Sequence, residues 1–209
     1  MLRVLVVALV LLVAVMVLMP RTARIQTPKA AELLDPPRPL PATELVDQDG
    51  ERTGLETFAG EFALLFVGFT HCPDDVCAPT LGVLAEARAA LAARAPAAVP
   101  EVVFMSVDFK RDTPSALRAY LTRFDPEFVG VTAPDATLEP LLDSLGIAVE
   151  KGTDKGSEYT VVPSTRIFFV GPKTELLARS IGPQEPRTLA SDYLRIRGRY
   201  LATHRATAP

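Results

Sequence analysis

A chain of 209 residues is long enough for one domain of ordinary size with tails, and too short for two. Apolar residues make up 48% and charged residues 22%, a balance that suits a folded, soluble domain once an apolar N-terminal run is set aside. The formal net charge of −3 offers no general basic surface to neutralise phosphates, so nucleic acid is excluded as an expected partner.

The first element is that apolar run. After Arg3, Val4 to Met19 contains no polar residue, and Pro20, Arg21 and Arg24 follow it. At about 1.5 Å per residue the run is slightly short for a bilayer core of about 30 Å, but Leu2 and snorkelling arginines extend it. No small-x-small cleavage site follows, so residues 1–20 read as an uncleaved membrane anchor. Positive charge flanks both ends, and the charge rule alone leaves its orientation open. Residues 21–42 hold Pro28, Pro36, Pro37, Pro39 and Pro41 and read as an extended tether, leaving residues 43–205 as the domain.

Asp49-Gly50 between short extended runs signals a hairpin over Leu45 to Arg52. Glu61 to Phe69 is nearly all apolar, as in a strand buried on both faces. Leu81, Leu84, Arg88 and Leu91 fall at helical spacing between Pro79 and Arg94. Val102 to Val107 is a second apolar strand, and Thr113-Pro114 caps and opens a helix reaching Phe124. The alternation repeats as Val129 to Thr132, Asp135 to Leu145 and Ile147 to Val149. Thr165 to Val170 and Leu176 to Ser180 then flank a Gly171-Pro172 turn, and Pro186 to Arg205 closes the chain as a helix. Strands alternating with helices predict an α/β sheet finished by an antiparallel hairpin. The arginines at 195, 197, 199 and 205 read as a solvated helix face rather than a binding patch.

The chemistry concentrates in Phe69-Thr70-His71-Cys72-Pro73-Asp74-Asp75-Val76-Cys77, which joins a buried strand to a helix and contains both cysteines of the chain. Amides and dipole at a helix start favour a thiolate, lowering a cysteine pKa from about 8.5. Two thiolates together form a disulfide or hold a soft ion such as Cu(I). Five positions apart on one helix the side chains would diverge, so a shared site requires Cys72 in the loop and Cys77 at the helix entrance. An inert structural disulfide is the bland alternative. Asp74 and Asp75 read as solvated turn carboxylates, Arg111-Asp112 as helix-entrance structure, His71 and His204 as surface or structural histidines, and Met105 as core.

The domain resembles the SCO/SenC family, thioredoxin-fold copper proteins that assist assembly of the copper centre of cytochrome c oxidase. The resemblance rests on Leu45-Val46-Asp47-Gln48-Asp49-Gly50, Gly68-Phe69-Thr70-His71-Cys72-Pro73-Asp74, Ser106-Val107-Asp108 with Arg111-Asp112-Thr113, Tyr159-Thr160-Val161 and Phe169-Val170-Gly171-Pro172. It implies a thioredoxin-like fold, an anchor in a bacterial inner membrane with the domain facing the periplasm, copper held by Cys72 and Cys77, and a cytochrome c oxidase subunit or another copper-receiving protein as partner. Two departures stand out. The family separates its cysteines by three residues, whereas four lie between Cys72 and Cys77. Val162-Pro163 also stands where the family carries an Asp-His pair with the ligand histidine. Val161 to Thr165 instead resembles the cis-proline turn that faces the cysteines in thioredoxin-like oxidoreductases, with Pro163 at the key position.

Three functions follow as expectations. The first is copper binding and delivery, or thiol reduction, through Cys72 and Cys77 during oxidase copper-centre assembly. The second is a general periplasmic thiol-disulfide oxidoreductase without copper, in which Cys72 attacks and Cys77 resolves. The third is a non-catalytic interaction domain. A peroxidase is disfavoured, since no proline precedes the cysteine within Phe66 to Phe69 to shape a peroxide pocket.

Overall fold

The computed structural model describes residues 26–72, 76–151, 159–161, 165–182 and 184–205. The expected anchor, Pro163, and Asp74 and Asp75 lie outside them. Among the described residues no helix is long and apolar enough to cross a membrane.

Eight strands form one mixed sheet in the order β1-β10-β9-β4-β5-β6-β2-β3. Its centre is β4 (Ala63–Gly68), all six residues of which are buried, as the unbroken apolar run predicts. Parallel to β4 runs β5 (Glu101–Ser106), and parallel to β5 runs β6 (Val129–Thr132). On the other side of β4, β9 (Ile167–Val170) pairs antiparallel, followed by β10 (Glu175–Ser180). The turn between β9 and β10 is closed by the Thr174 amide donating to the Gly171 carbonyl. The early hairpin is β2 (Leu45–Asp47) with β3 (Arg52–Thr53), and Gly50 supplies the positive φ of 84° that its turn needs. A separate two-stranded ribbon pairs β7 (Val149–Lys151) with β8 (Tyr159–Val161).

Among the described residues four α-helices flank the sheet: α1 (Cys77–Arg94), α2 (Pro114–Leu121), α3 (Asp135–Leu145) and α4 (Pro186–Arg205). Helix α1 buries Cys77, Thr80, Leu81, Leu84, Ala87 and Leu91, a stripe at three- and four-residue spacing. Thr113 caps α2 by accepting from the Ala116 amide, with Pro114 at the first helical position. Met105 is fully buried in β5, so it belongs to the core.

One expectation changes. Part of the presumed tether, Ala31–Pro39, is an edge strand, β1, pairing antiparallel with β10 through a register shift between Leu33 and Arg38. Its prolines are compatible with that position because an outermost strand has a row of amides that need no ladder partner. The strand is secured just before it begins: the buried Asp192 carboxylate of α4 accepts from the Lys29 and Ala30 amides at 2.9 and 2.7 Å. Three arginines of α4 are likewise engaged within the domain. Arg195 pairs with Asp192, Arg199 with Asp35, and the Arg197 guanidinium lies over the Phe62 ring.

Candidate functional site

Because β4, β5 and β6 are parallel, the segments that follow them leave the sheet at one common edge. The first of those segments carries Cys72, and it ends on Cys77, the first residue of α1. The two sulfurs are bonded, with Cα atoms 5.9 Å apart across a separation of five positions. The extra residue between the cysteines therefore does not keep them apart. The loop accommodates it by placing Cys72 outside the helix, where its amide donates to the Phe69 carbonyl, and Cys77 inside. Cys72 is the more exposed of the two, at 9% against 2% for Cys77, which lies over Gly68.

Beneath this loop sits a polar cluster whose size the sequence did not reveal. Asp112 is completely buried, yet one of its carboxylate oxygens accepts from the Thr70 hydroxyl at 2.6 Å and the other from the Thr70 amide at 2.8 Å. The Ser106 hydroxyl donates to Asp112 too, and itself accepts from the Asp108 amide at 3.1 Å. Thr132, at the end of β6, donates to the Ser106 carbonyl at 3.0 Å. Asp112 thus ties the exits of β4 and β5 together through side chains, and Ser106 extends the tie to β6. The segment bearing Cys72 starts from a fixed point.

His71, Asp108 and Asp112 offer ligand atoms within 4.8 Å of one another, an arrangement that could suggest a cation site. Most of its atoms are committed to structure: both oxygens of Asp112 are taken, Asp108 Oδ2 pairs with Arg111, and His71 Nδ1 lies 3.0 Å from the Thr70 hydroxyl, while Asp108 Oδ1 is buried with no hydrogen-bond partner among the described residues. The other histidine, His204, stacks on Tyr200 with ring centroids 3.9 Å apart at the far end of α4. Pro163 lies outside the described residues, so the structure leaves its relation to the sulfurs unstated. Asp112 was the residue that sequence reasoning undervalued; a carboxylate next to a helix cap reads as local, and only the parallel strands bring Thr70 to it.

The arrangement supports two chemistries: opening and closing of a disulfide, and, once reduced, presentation of two sulfurs to one soft ion.

Comparison with known proteins is consistent with this geometry. Residues 38–197 match the family model described as SCO1/SenC. A protein of Stutzerimonas stutzeri named as a putative copper-binding protein is 34% identical over 144 residues, covering 69% of this chain and 70% of that one. An SCO2-like protein of Rickettsia conorii is 32% identical over 129 residues, covering 61% of this chain and 62% of its own length. The solved structure of Arabidopsis thaliana ScoI with copper bound superimposes with a TM-score of 0.69 at 26% identity, covering 76% of this chain and 98% of that one. The match takes in β2 to β10, the cysteine loop and most of α4, and on it the chain belongs to the SCO1/SenC family.

Proposed function

We propose that this chain acts in assembly of the copper centre of cytochrome c oxidase, using Cys72 and Cys77 to bind and hand over Cu(I) or to reduce the cysteines of the copper-receiving protein. The observation that carries the reading is the placement of both sulfurs at bonding distance where a central strand passes into a helix. The copper-binding name of one relative and the copper-bound structure of another support it. The apolar run at residues 1–20 is the element that would hold the domain at a bacterial inner membrane, facing the periplasm.

Copper is the cargo here. Two thiolates suit Cu(I), which accepts low coordination by soft donors, and suit Cu(II) poorly, since Cu(II) favours nitrogen and tetragonal geometry. Among the described residues the two histidines are engaged through Nδ1, His71 with the Thr70 hydroxyl and His204 with the Tyr200 carbonyl.

A thiol-reducing role is favoured by a specific observation: Cys72, the less deeply buried of the two residues, is in the loop, and Cys77 is in the first turn of α1. In that reaction the Cys72 thiolate attacks a partner disulfide and releases one partner thiolate. The Cys77 thiolate then attacks Cys72 in the mixed disulfide and releases the second. Two electrons pass to the partner, its two thiolates take up protons, and this chain is left with the Cys72–Cys77 bond seen in the structure. An external thiol reductant returns it to the start.

Anaerobic Cu(I) titration of the reduced protein separates the two roles. Copper carriage requires one tight equivalent that disappears in Cys72→Ser. Turnover of a disulfide substrate with no copper binding would leave the oxidoreductase role alone, and retention of oxidase assembly by the Cys72→Ser/Cys77→Ser double variant would refute both.

A further inference from the structure

A groove of about 540 Å³ opens between α3 and the residues that follow β5. Its floor is apolar, formed by Val107, Leu138, Leu142 and Ile147. Along its rim, Asp135, Glu139 and Asp143 stand four residues apart on α3, which aligns them on one side of the helix. None of the described lining residues is basic.

Asp135 lies in the first turn, where the helix dipole favours it, but Glu139 and Asp143 do not serve the helix that carries them. Like charges at this spacing destabilise a helix, and Asp143 lies near the C-terminal end of α3, where the helix dipole disfavours negative charge. Glu139 and Asp143 have no ion-pair partner among the described residues. Two carboxylates without an ion-pair partner among the described residues, beside an apolar floor, offer a complement to a partner that is both apolar and positively charged.

The groove also adjoins the sulfur site. The Val107 amide donates to the Gly68 carbonyl at 3.0 Å, and Gly68 in turn faces the Cys77 sulfur. Val107, the Cys72 loop and the first turn of α3 all emerge at the same edge of the parallel strands. Phe109, two residues beyond Val107, is 42% exposed and extends the apolar surface at that edge.

We propose that this groove docks a basic, amphipathic segment of the polypeptide that meets the Cys72–Cys77 pair, an inference that rests on the thiol and copper reading above. Apolar side chains of the segment fill the floor while lysines or arginines one helical turn apart pair with Glu139 and Asp143. Nucleic acid and anionic membrane surfaces are repelled by the same rim.

The test uses the full chain with its disulfide formed and two synthetic peptides, each with one cysteine and a leucine face, one flanked by lysines and the other by glutamates. Thiol exchange with the lysine peptide is expected to be at least about tenfold faster at low salt, and the two rates to converge in about 1 M salt. The double variant Glu139→Lys/Asp143→Lys should abolish or invert the preference. Glu61→Lys/Glu86→Lys, the same charge change before β4 and on α1, should keep it. Glu139→Gln/Asp143→Asn serves the same purpose should the reversal fail to fold. Equal rates for the two peptides, or an equal loss in Glu61→Lys/Glu86→Lys, would overturn the proposal. A cysteine-free lysine peptide followed by fluorescence anisotropy separates the two ideas: binding that needs Glu139 and Asp143 in the absence of exchange supports the groove and sinks the thiol reading, whereas exchange without peptide preference sinks the groove alone.

Discussion

Gly68 faces Cys77 so closely that a Cβ at position 68 would stand 3.0 Å from the sulfur, and equally 3.0 Å from the Phe104 ring. Phe104 cannot easily retreat, because it is completely buried and packed against Phe66 and Tyr120. Glycine is required here for space, at the last position of the central strand.

Gly68→Ala is therefore expected to cost about 1–3 kcal/mol through overpacking. Urea unfolding of the oxidised protein measures this as a lower midpoint at unchanged slope. Since the same methyl displaces the Cys77 sulfur, the reduction potential of the pair should also differ from wild type. A variant with wild-type midpoint and potential would show that the contact is not as tight as described.

Reduction of the disulfide should lower stability only modestly. A loop closed over a separation of five positions restricts the unfolded chain little, and chain entropy predicts a loss of about 2 kcal/mol. For a chain of this size that corresponds to a fall of about 4–8 °C in Tm. Calorimetry with and without a thiol reductant checks it; complete unfolding on reduction would make the bond a structural staple and contradict a redox role.

Asp112→Ala leaves the Thr70 amide and the Ser106 hydroxyl without their carboxylate partner. The expected cost is about 2–4 kcal/mol, since each buried group left unpaired costs about 1–3 kcal/mol and partial relaxation recovers some of it. Hydrogen exchange should locate the loosening at Thr70 and Cys72, with β10 unaffected. Uniform loss of protection across the sheet would show that Asp112 supports the core generally rather than the loop.

Burial holds the phenols of Tyr193 and Tyr200 well above the ordinary value of 10.0, reinforced at Tyr200 by the adjacent Glu175 carboxylate. The folded state keeps these protons after the unfolded state has lost them. Their stabilising contribution is complete below about pH 10 and declines as pH rises beyond it, by up to about 1.4 kcal/mol per pH unit for each tyrosine. Urea midpoints at pH 9 and 11 should fall steeply in the wild type and less steeply in Tyr200→Phe. Equal slopes would remove Tyr200 from the account.

The regular elements were legible because their signals are local. The apolar run of β4, the Thr113-Pro114 start of α2 and the Asp49-Gly50 turn each specify a conformation within a few residues. The position of Cys77 at a helix start was legible for the same reason. What escaped notice depends on long-range pairing. Strand β1 is rich in proline and reads as a free tether until β10 is there to receive it, 136 or more positions later. Asp112 reads as part of a helix entrance until the parallel register of β4 and β5 brings it to Thr70, 42 positions earlier. The groove on α3 needs both the helix and the exit of β5, and neither segment alone has a signature for it.

The clasp of Asp192 on Lys29 and Ala30 has a mechanical meaning. A pull applied upstream of residue 29 is met first by a buried carboxylate on the closing helix, and next by the outermost strand, four places along the sheet from β5 and three from β4. Force entering there would have to peel β1 from β10 before it disturbed the strand that leads to the sulfurs. Tension on the leading segment and accuracy at the reactive edge are thereby kept independent.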